Sequence, residues 1–281
     1  MTALTLLVTA AALLVLQGVT FAVARKAGKH SVVDTAWGIG IALAALAAFL
    51  TSLGHGDTAR RALLLAASAL WGARLAVYVG WRNRGKVEDP RYADLLARAT
   101  GSKNLYALRN IYLLQAAILW LATVPVQLGM LERAPLGPLA AVGAVLFTVG
   151  FFFESVGDWQ LARFKADPAH HGMIMDRGLW RYTRHPNYFG DFCMWWGLFA
   201  ISAGSWRELP ALIGPLLMAY ILTRGTGAGM TDRRMRASRP QYADYIACTS
   251  GFIPLPPKRR EAVAKRGQKE ADGYRDRGFH P

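Results

Sequence analysis

The chain has 281 residues, 53% of them hydrophobic and 18% charged, with a formal net charge of +15. Its apolar residues fall in long blocks instead of short amphipathic periods, which excludes an ordinary water-soluble domain and indicates a membrane composition. The surplus of Lys and Arg would suit nucleic acid, but it is confined to segments that alternate with apolar runs, as membrane topology requires.

A helix that crosses about 30 Å of hydrocarbon needs about 20 mainly apolar residues. Seven segments fit that description: 2–24, 32–53, 62–81, 106–129, 136–157, 188–206 and 208–223. The first lacks the basic leader and small-residue cleavage site of a secretory signal and is followed by Arg25 and Lys26, so it reads as a retained span. Basic residues crowd segments 25–31, 82–109, 158–187 and the tail from Arg224, while the alternate loops hold Arg60, Arg61, Arg133 and Arg207. Seven spans therefore put the N-terminus outside and the tail in the cytoplasm. The expected fold is all-α, a polytopic membrane helix bundle of about seven transmembrane helices with cytoplasmic interfacial helices. One domain covers 1–257, and a basic flexible tail covers 258–281.

Polar groups inside apolar spans are costly, so their positions carry information. Asp34 opens the second span, Arg74 and Tyr78 lie late in the third, Glu154 and Asp158 end the fifth, and Asp191 opens the sixth. All fall in the half of the membrane next to the basic segments, as expected of a polar cavity open to the cytoplasm. Gln17, Gln115 and Gln127 lie off this cluster and read as interhelical hydrogen-bonding groups. Cys193 and Cys248 make no CxxC or metal spacing, and His170 and His171 lack a matched acid or cysteine cluster, so no metal site is expected.

Between the spans, segment 82–105 combines Arg82, Asn83 and Arg84 with a stretch from Pro90 to Ala99 that reads as an interfacial helix. Guanidinium groups bind phosphate through paired donors, so such a segment suits a phosphate-bearing ligand. Segment 158–187 carries Gln160, Arg163 and Lys165, then Trp180 and Tyr182, and runs into the densest motif, RYTRHPNYFGD at 181–191. There Pro186 pre-sets a helical turn, and the helix start near Asn187 and Tyr188 offers backbone donors to an anion. In the tail, Asp232 lies among arginines ahead of Tyr242 and Tyr245, an arrangement that would suit a ribose or an adenine amine.

Taken together, GLWRYTRHPNYFGD and the closing Asp232 with RP-QY-ADY and FIP resemble the membrane reductase superfamily of steroid 5-alpha-reductases and sterol C14-reductases, especially bacterial members of unassigned substrate. The likeness is strong from Glu154 to Pro254 and weaker over the second and third spans. It implies an inner-membrane bundle that holds NADPH in a cytoplasm-facing cavity and takes a lipid-like substrate from the bilayer. Carried over by motif, Gln160, Arg163 and Lys165 correspond to the cofactor-phosphate stretch. Trp180, Tyr182, Asn187, Tyr188 and Asp191 match the central cofactor motif, Asp232, Arg233 and Tyr245 match the closing one, and Asn83 and Arg84 match the Asn-Arg-Gly after the third helix. Asp158, Arg184 and His185, drawn from the acid cluster and the motif itself, complete the cofactor set. The substrate-polarising tyrosine of the steroid enzymes would align near Gly72, where there is none, and Tyr78 is the nearest replacement.

The expected chemistry is NADPH-dependent reduction of an activated C=C bond in a steroid, sterol or isoprenoid-like lipid. Asp34 or Tyr78 would be proton donor or polariser, with Arg74 tuning the acid. Two alternatives stay open. One is an S-adenosylmethionine-dependent methyltransferase of the isoprenylcysteine or phospholipid type, whose motif usually continues Gly-Glu where this chain has Gly190-Asp191. The other is a non-catalytic lipid-binding membrane protein. Membrane lipids are expected partners, nucleic acid is not, and oligomeric state is not legible.

Overall fold

The computed structural model describes residues 1–225 and 227–258, with Arg207 described in its backbone alone. The expected tail beyond Lys258 lies outside the described residues. Twelve α-helices are described, and no strand is present among the described residues beyond one isolated bridge between Thr183 and Ser250. In chain order the helices are α1 (Thr2–Ala27), α2 (Val33–Thr51), α3 (Thr58–Asn83), α4 (Pro90–Ala97), α5 (Lys103–Ala107) and α6 (Leu114–Ala122). They continue with α7 (Val124–Gly129), α8 (Pro138–Ala166), α9 (Pro186–Ser202), α10 (Ile213–Thr223), α11 (Ala228–Ser238) and α12 (Tyr242–Cys248).

Among the described residues six helical stretches are long and apolar enough to cross a membrane: Thr2–Ala27, His30–Thr51, Thr58–Asn83, Lys103–Ala122, Pro138–Ala166 and Glu208–Ser238. Large apolar side chains such as Leu7, Val15, Val77 and Val145 are well exposed on these helices, as a lipid-facing surface requires. The chain is thus an all-α bundle of polytopic membrane type. The expected span at 188–206 is shorter than its apolar run: α9 has 17 residues, about 26 Å at about 1.5 Å per residue. The fourth span is not one regular helix either. A π-helical stretch, Leu108–Leu113, joins α5 to α6, and the helix breaks at Thr123 before Pro125.

The chain forms two compact units, one of residues 1–147 and 194–218 and the other of residues 148–193 and 219 onward. In the first unit α2 and α3 approach so closely that Gly38 and Gly72 face each other's backbone, with no room for a Cβ on either. Small residues serve this purpose in membranes, where apolar side chains gain little by leaving lipid and packing must do the work. Buried polar groups pair across helices: Gln115 Oε1 accepts from Trp37 Nε1 at 2.7 Å, and Gln127 Oε1 accepts from Thr9 Oγ1 at 2.8 Å. Gln17, expected to act in the same way, is buried with no hydrogen-bond partner among the described residues.

The loops of this unit segregate into two sets. At one end Lys29 Nζ donates to the carbonyls of Asn83 (3.0 Å) and Lys86 (2.7 Å), and the Glu88 carboxylate accepts from the backbone N–H groups of His30, Ser31 and Asp89. At the other, Asp57 N donates to Glu132 O at 2.7 Å, and the buried Arg60 guanidinium donates to the carbonyls of Ala134, Pro135 and Ile201. Arg61 caps α2 by donating to Phe49 O and Ser52 Oγ, each at 3.0 Å. Two of the four cations in the sparsely charged loops are therefore consumed in tying off backbone carbonyls.

Gly72→Val is expected to lower the thermal stability of the detergent-solubilised protein, because the overpacked helix contact costs about 1–3 kcal/mol or more. Gly18→Val, at a glycine with open space around its Cα, should cost less. Equal melting of the two variants would contradict the close α2–α3 contact.

Candidate functional site

In the second unit, α9 begins where α8 lets it come close. A Cβ on Gly190 would meet the backbone of Gly150 and Glu154, and one on Gly157 would meet Pro186 and Asn187 N. The start of α9 is consequently packed against α8. Its polar residue Asn187 is engaged internally, donating from Nδ2 to Asp158 Oδ1 at 3.2 Å and accepting from Tyr188 N at 3.1 Å. Of the backbone donors at this helix start, Tyr188 N meets the Asn187 side chain and Phe189 N the carbonyl of His185.

The acid among the arginines has an internal explanation. Asp232 Oδ1 accepts from His185 Nε2 (2.9 Å) and Tyr242 OH (2.6 Å), and Oδ2 accepts from Arg184 Nη2 (2.7 Å). Arg184 also donates from Nη1 to Thr249 O at 2.6 Å, and the His185 ring stacks on Tyr188 at 5.4 Å. His185 is buried. Arg184, His185 and Asp232 therefore join the entrance of α9 to α11 and α12, leaving little donor capacity for a phosphate or ribose. Burial, followed by the hydrogen bond to Asp232, pushes the Tyr242 phenol above its ordinary range.

A second set of bonds fixes the segment before α9. Trp180 is buried, its indole N–H donates to Gly157 O at 3.0 Å, and its carbonyl accepts from Tyr245 OH. Gln160 Oε1 accepts from Leu179 N at 3.0 Å, and Thr183 Oγ1 donates to Phe252 O at 2.8 Å. The remaining residues of the expected cofactor set are more open. Arg163 lies over the Trp159 ring at 5.7 Å, Lys165, Tyr182 and Arg233 are exposed, and Asp191 is half-buried in the first turn of α9.

The first unit has a polar cluster of its own. Asp34 accepts from Tyr92 OH at 2.5 Å and from Arg91 Nη2 at 3.1 Å, and Arg91 also pairs with Asp89 at 3.0 Å. Burial and then the Asp34 carboxylate raise the Tyr92 phenol well above its usual range. For Arg91, burial opposes the charge, but the bond to Asp89 and the fields of Asp34 and Asp89 outweigh it and hold the guanidinium above its ordinary value. Arg74 and Tyr78 meet on α3, the guanidinium 5.1 Å from the ring, with Arg82 on the ring at 5.7 Å. Asn83 is half-buried and its carbonyl accepts from Lys29, while Arg84 is exposed.

The sequence suggested Arg74 of α3 as the group tuning Asp34, and the bonds that Asp34 accepts come from Arg91 and Tyr92 of α4. The signal was present: Asp89-Pro90 is a capped helix start, and Tyr92, Leu95 and Leu96 share one apolar face. That face packs with Ala24, Val33, Ile111 and Tyr112, so α4 is docked into the bundle.

Comparison with known proteins places residues 20–249 in a family described as proteins of unknown function (DUF1295), and the chain belongs to that family. An uncharacterized protein of Schizosaccharomyces pombe is 28% identical, over 80% of this chain and 72% of its own length. No solved structure matches.

Removing the Asp232 carboxylate with Asp232→Ala strands a partly buried guanidinium, an effect expected to cost about 3–5 kcal/mol; Tyr242→Phe should cost about 1–2 kcal/mol. The Tyr242 contribution has a pH signature. Its folded-state pKa is raised, so the contribution is complete below the ordinary phenol value of 10.0 and is lost as the pH rises past it. Thermal melts of wild type and Tyr242→Phe should therefore differ by a constant gap up to pH 10.0 and draw together as the pH rises beyond it, and a gap unchanged above pH 10.0 would contradict the Asp232–Tyr242 bond.

Proposed function

We propose that this DUF1295 protein is an integral-membrane reductase that uses NADPH to saturate an activated C=C bond in a steroid-, sterol- or isoprenoid-like lipid. The observation that carries the reading is the Asp34–Tyr92 hydrogen bond, a phenol and a carboxylate set together at the start of an apolar helix. The sequence likeness of 154–254 to the steroid and sterol reductases supports it. With the basic segments on the cytoplasmic side, as their composition favours, the soluble cofactor has access to them.

When bound, the nicotinamide supplies the hydride. Reduction then requires a proton on the neighbouring carbon and stabilisation of the charge that develops as the π bond breaks and two C–H bonds form. Tyr92, held protonated by burial and by Asp34, gives that proton when its O–H turns from Asp34 to the substrate carbon. Asp34, paired with Arg91 and bonded to the phenol, orients it and relays its replacement proton. Arg74 and Tyr78 then line the third helix as a second polar pair toward the substrate.

The donor set of the second unit fits the phosphates of a dinucleotide. Arg163 has no ion pair among the described residues, and Lys165 follows it as an exposed cation in the last turn of α8. Arg184, His185 and Asp232, bound to one another, would position the surrounding segment instead of holding the cofactor directly.

Protein reconstituted in lipid is expected to bind NADPH saturably, read by tryptophan quenching, and the double variant Arg163→Ala, Lys165→Ala should weaken binding by about tenfold or more. Tyr92→Phe should keep NADPH binding and lower enone-lipid reduction by about 10²-fold. Binding of S-adenosylmethionine with no response to NADPH would assign methyl transfer instead. NADPH binding without turnover on any enone lipid would leave a non-catalytic lipid-binding protein.

A further inference from the structure

The second unit contains a cavity of about 510 Å³ lined by Asp176, Arg177, Arg181, Tyr245, Cys248 and Lys258, among others, and its cations lie outside the expected cofactor set. Its walls are held rigidly. Tyr245 OH is bonded to Trp180 O, Lys258 N donates to Cys248 O at 2.9 Å, and Arg184 ties down Thr249 O. The three cations are exposed, and among the described residues none has an ion pair or a side-chain hydrogen bond. Three unspent cations against one acid, around a preformed concavity, form a receptor for a compact anion of high charge. Two guanidinium groups and an ammonium suit a phosphate ester, which offers several strong acceptor oxygens.

The rim indicates what carries the phosphate. Tyr182, Ile253 and Leu255 are 45%, 61% and 54% exposed, and Leu255 N donates to Tyr182 O at 3.0 Å, so these apolar groups flank the strand of chain that leads to Lys258. An aromatic and two aliphatic side chains beside basic groups form an interfacial arrangement, with the apolar part in the acyl boundary and the cations at headgroup depth. We propose that the cavity of Arg177, Arg181 and Lys258 is a binding site for the phosphate ester of an acidic membrane lipid. The proposal goes beyond the reductase reading and requires no nicotinamide.

The test uses the full-length protein in neutral detergent, titrated with dioctanoyl phosphatidic acid, dioctanoyl phosphatidylcholine and glycerol 3-phosphate and followed by thermal shift. Phosphatidic acid is expected to stabilise the protein saturably. The triple variant Arg177→Gln, Arg181→Gln, Lys258→Gln should weaken its binding on the order of 100-fold, from about 1 kcal/mol per basic residue. The single variant Arg181→Gln, at an exposed position, should fall between the two and guards against a folding defect. Glycerol 3-phosphate binding as tightly as the lipid, with the same loss in the variants, would uphold the phosphate-ester site and assign it a soluble source. Equal response to phosphatidylcholine, or undiminished binding in the triple variant, would overturn the proposal. Displacement of the lipid by NADPH would also overturn it, by making the cavity part of the cofactor site.

Discussion

The carboxylate of Asp232 is the point on which the second unit turns. A partly buried carboxylate needs compensating donors, and three arrive from Arg184, His185 and Tyr242. Arg184 and His185 directly precede the proline that starts α9, Asp232 lies on α11 and Tyr242 opens α12, so one anion gathers three elements distant in sequence. The other links, Trp180 with Tyr245 and Thr183 with Phe252, run in parallel and hold the same segments. Arg163, Arg177, Arg181 and Lys258 lie outside this network.

The first unit satisfies the same requirement with different groups. Hydrocarbon supplies no hydrogen bonds, so backbone and side-chain polar atoms must find partners within the protein. Arg60 and Arg61 spend their guanidinium groups on carbonyls at one end. At the other end Glu88 collects backbone N–H groups and Asp34 collects a phenol and a guanidinium. The first two arrangements are closed and suit architecture. The cluster at Asp34 differs in chemistry, because it couples a proton-bearing phenol to a carboxylate, the pairing that proton transfer uses.

The membrane class and the spans were legible, because blocks of 20 apolar residues leave few other folds available. The boundaries were less so. The run at 188–206 extends past the helix that forms there, and the run at 106–129 conceals both a π-helical stretch and the break at Thr123. Partner choice was the least legible, because periodicity reports which face a residue occupies and not which distant side chain meets it. Asp232 and Arg184 are 48 positions apart, and Asp34 and Tyr92 are 58 apart. The motif residues Arg184 and His185 read as ligand-binding groups, yet both are bonded to Asp232. Gln17, by contrast, occupies an expected interhelical position without a partner, and nothing in the described structure explains it.

The central claim is that a proton from the Asp34–Tyr92 pair accompanies hydride transfer to a lipid C=C bond. The most direct measurement is deuterium transfer from NADPH deuterated at both C4 positions to an enone lipid by reconstituted protein, followed by mass spectrometry of the lipid. The account predicts one deuterium per reduced bond in wild type and a loss of about 10²-fold in rate in Tyr92→Phe and Asp34→Asn. Reduction at the wild-type rate by both variants, or no deuterium in the lipid, would contradict it.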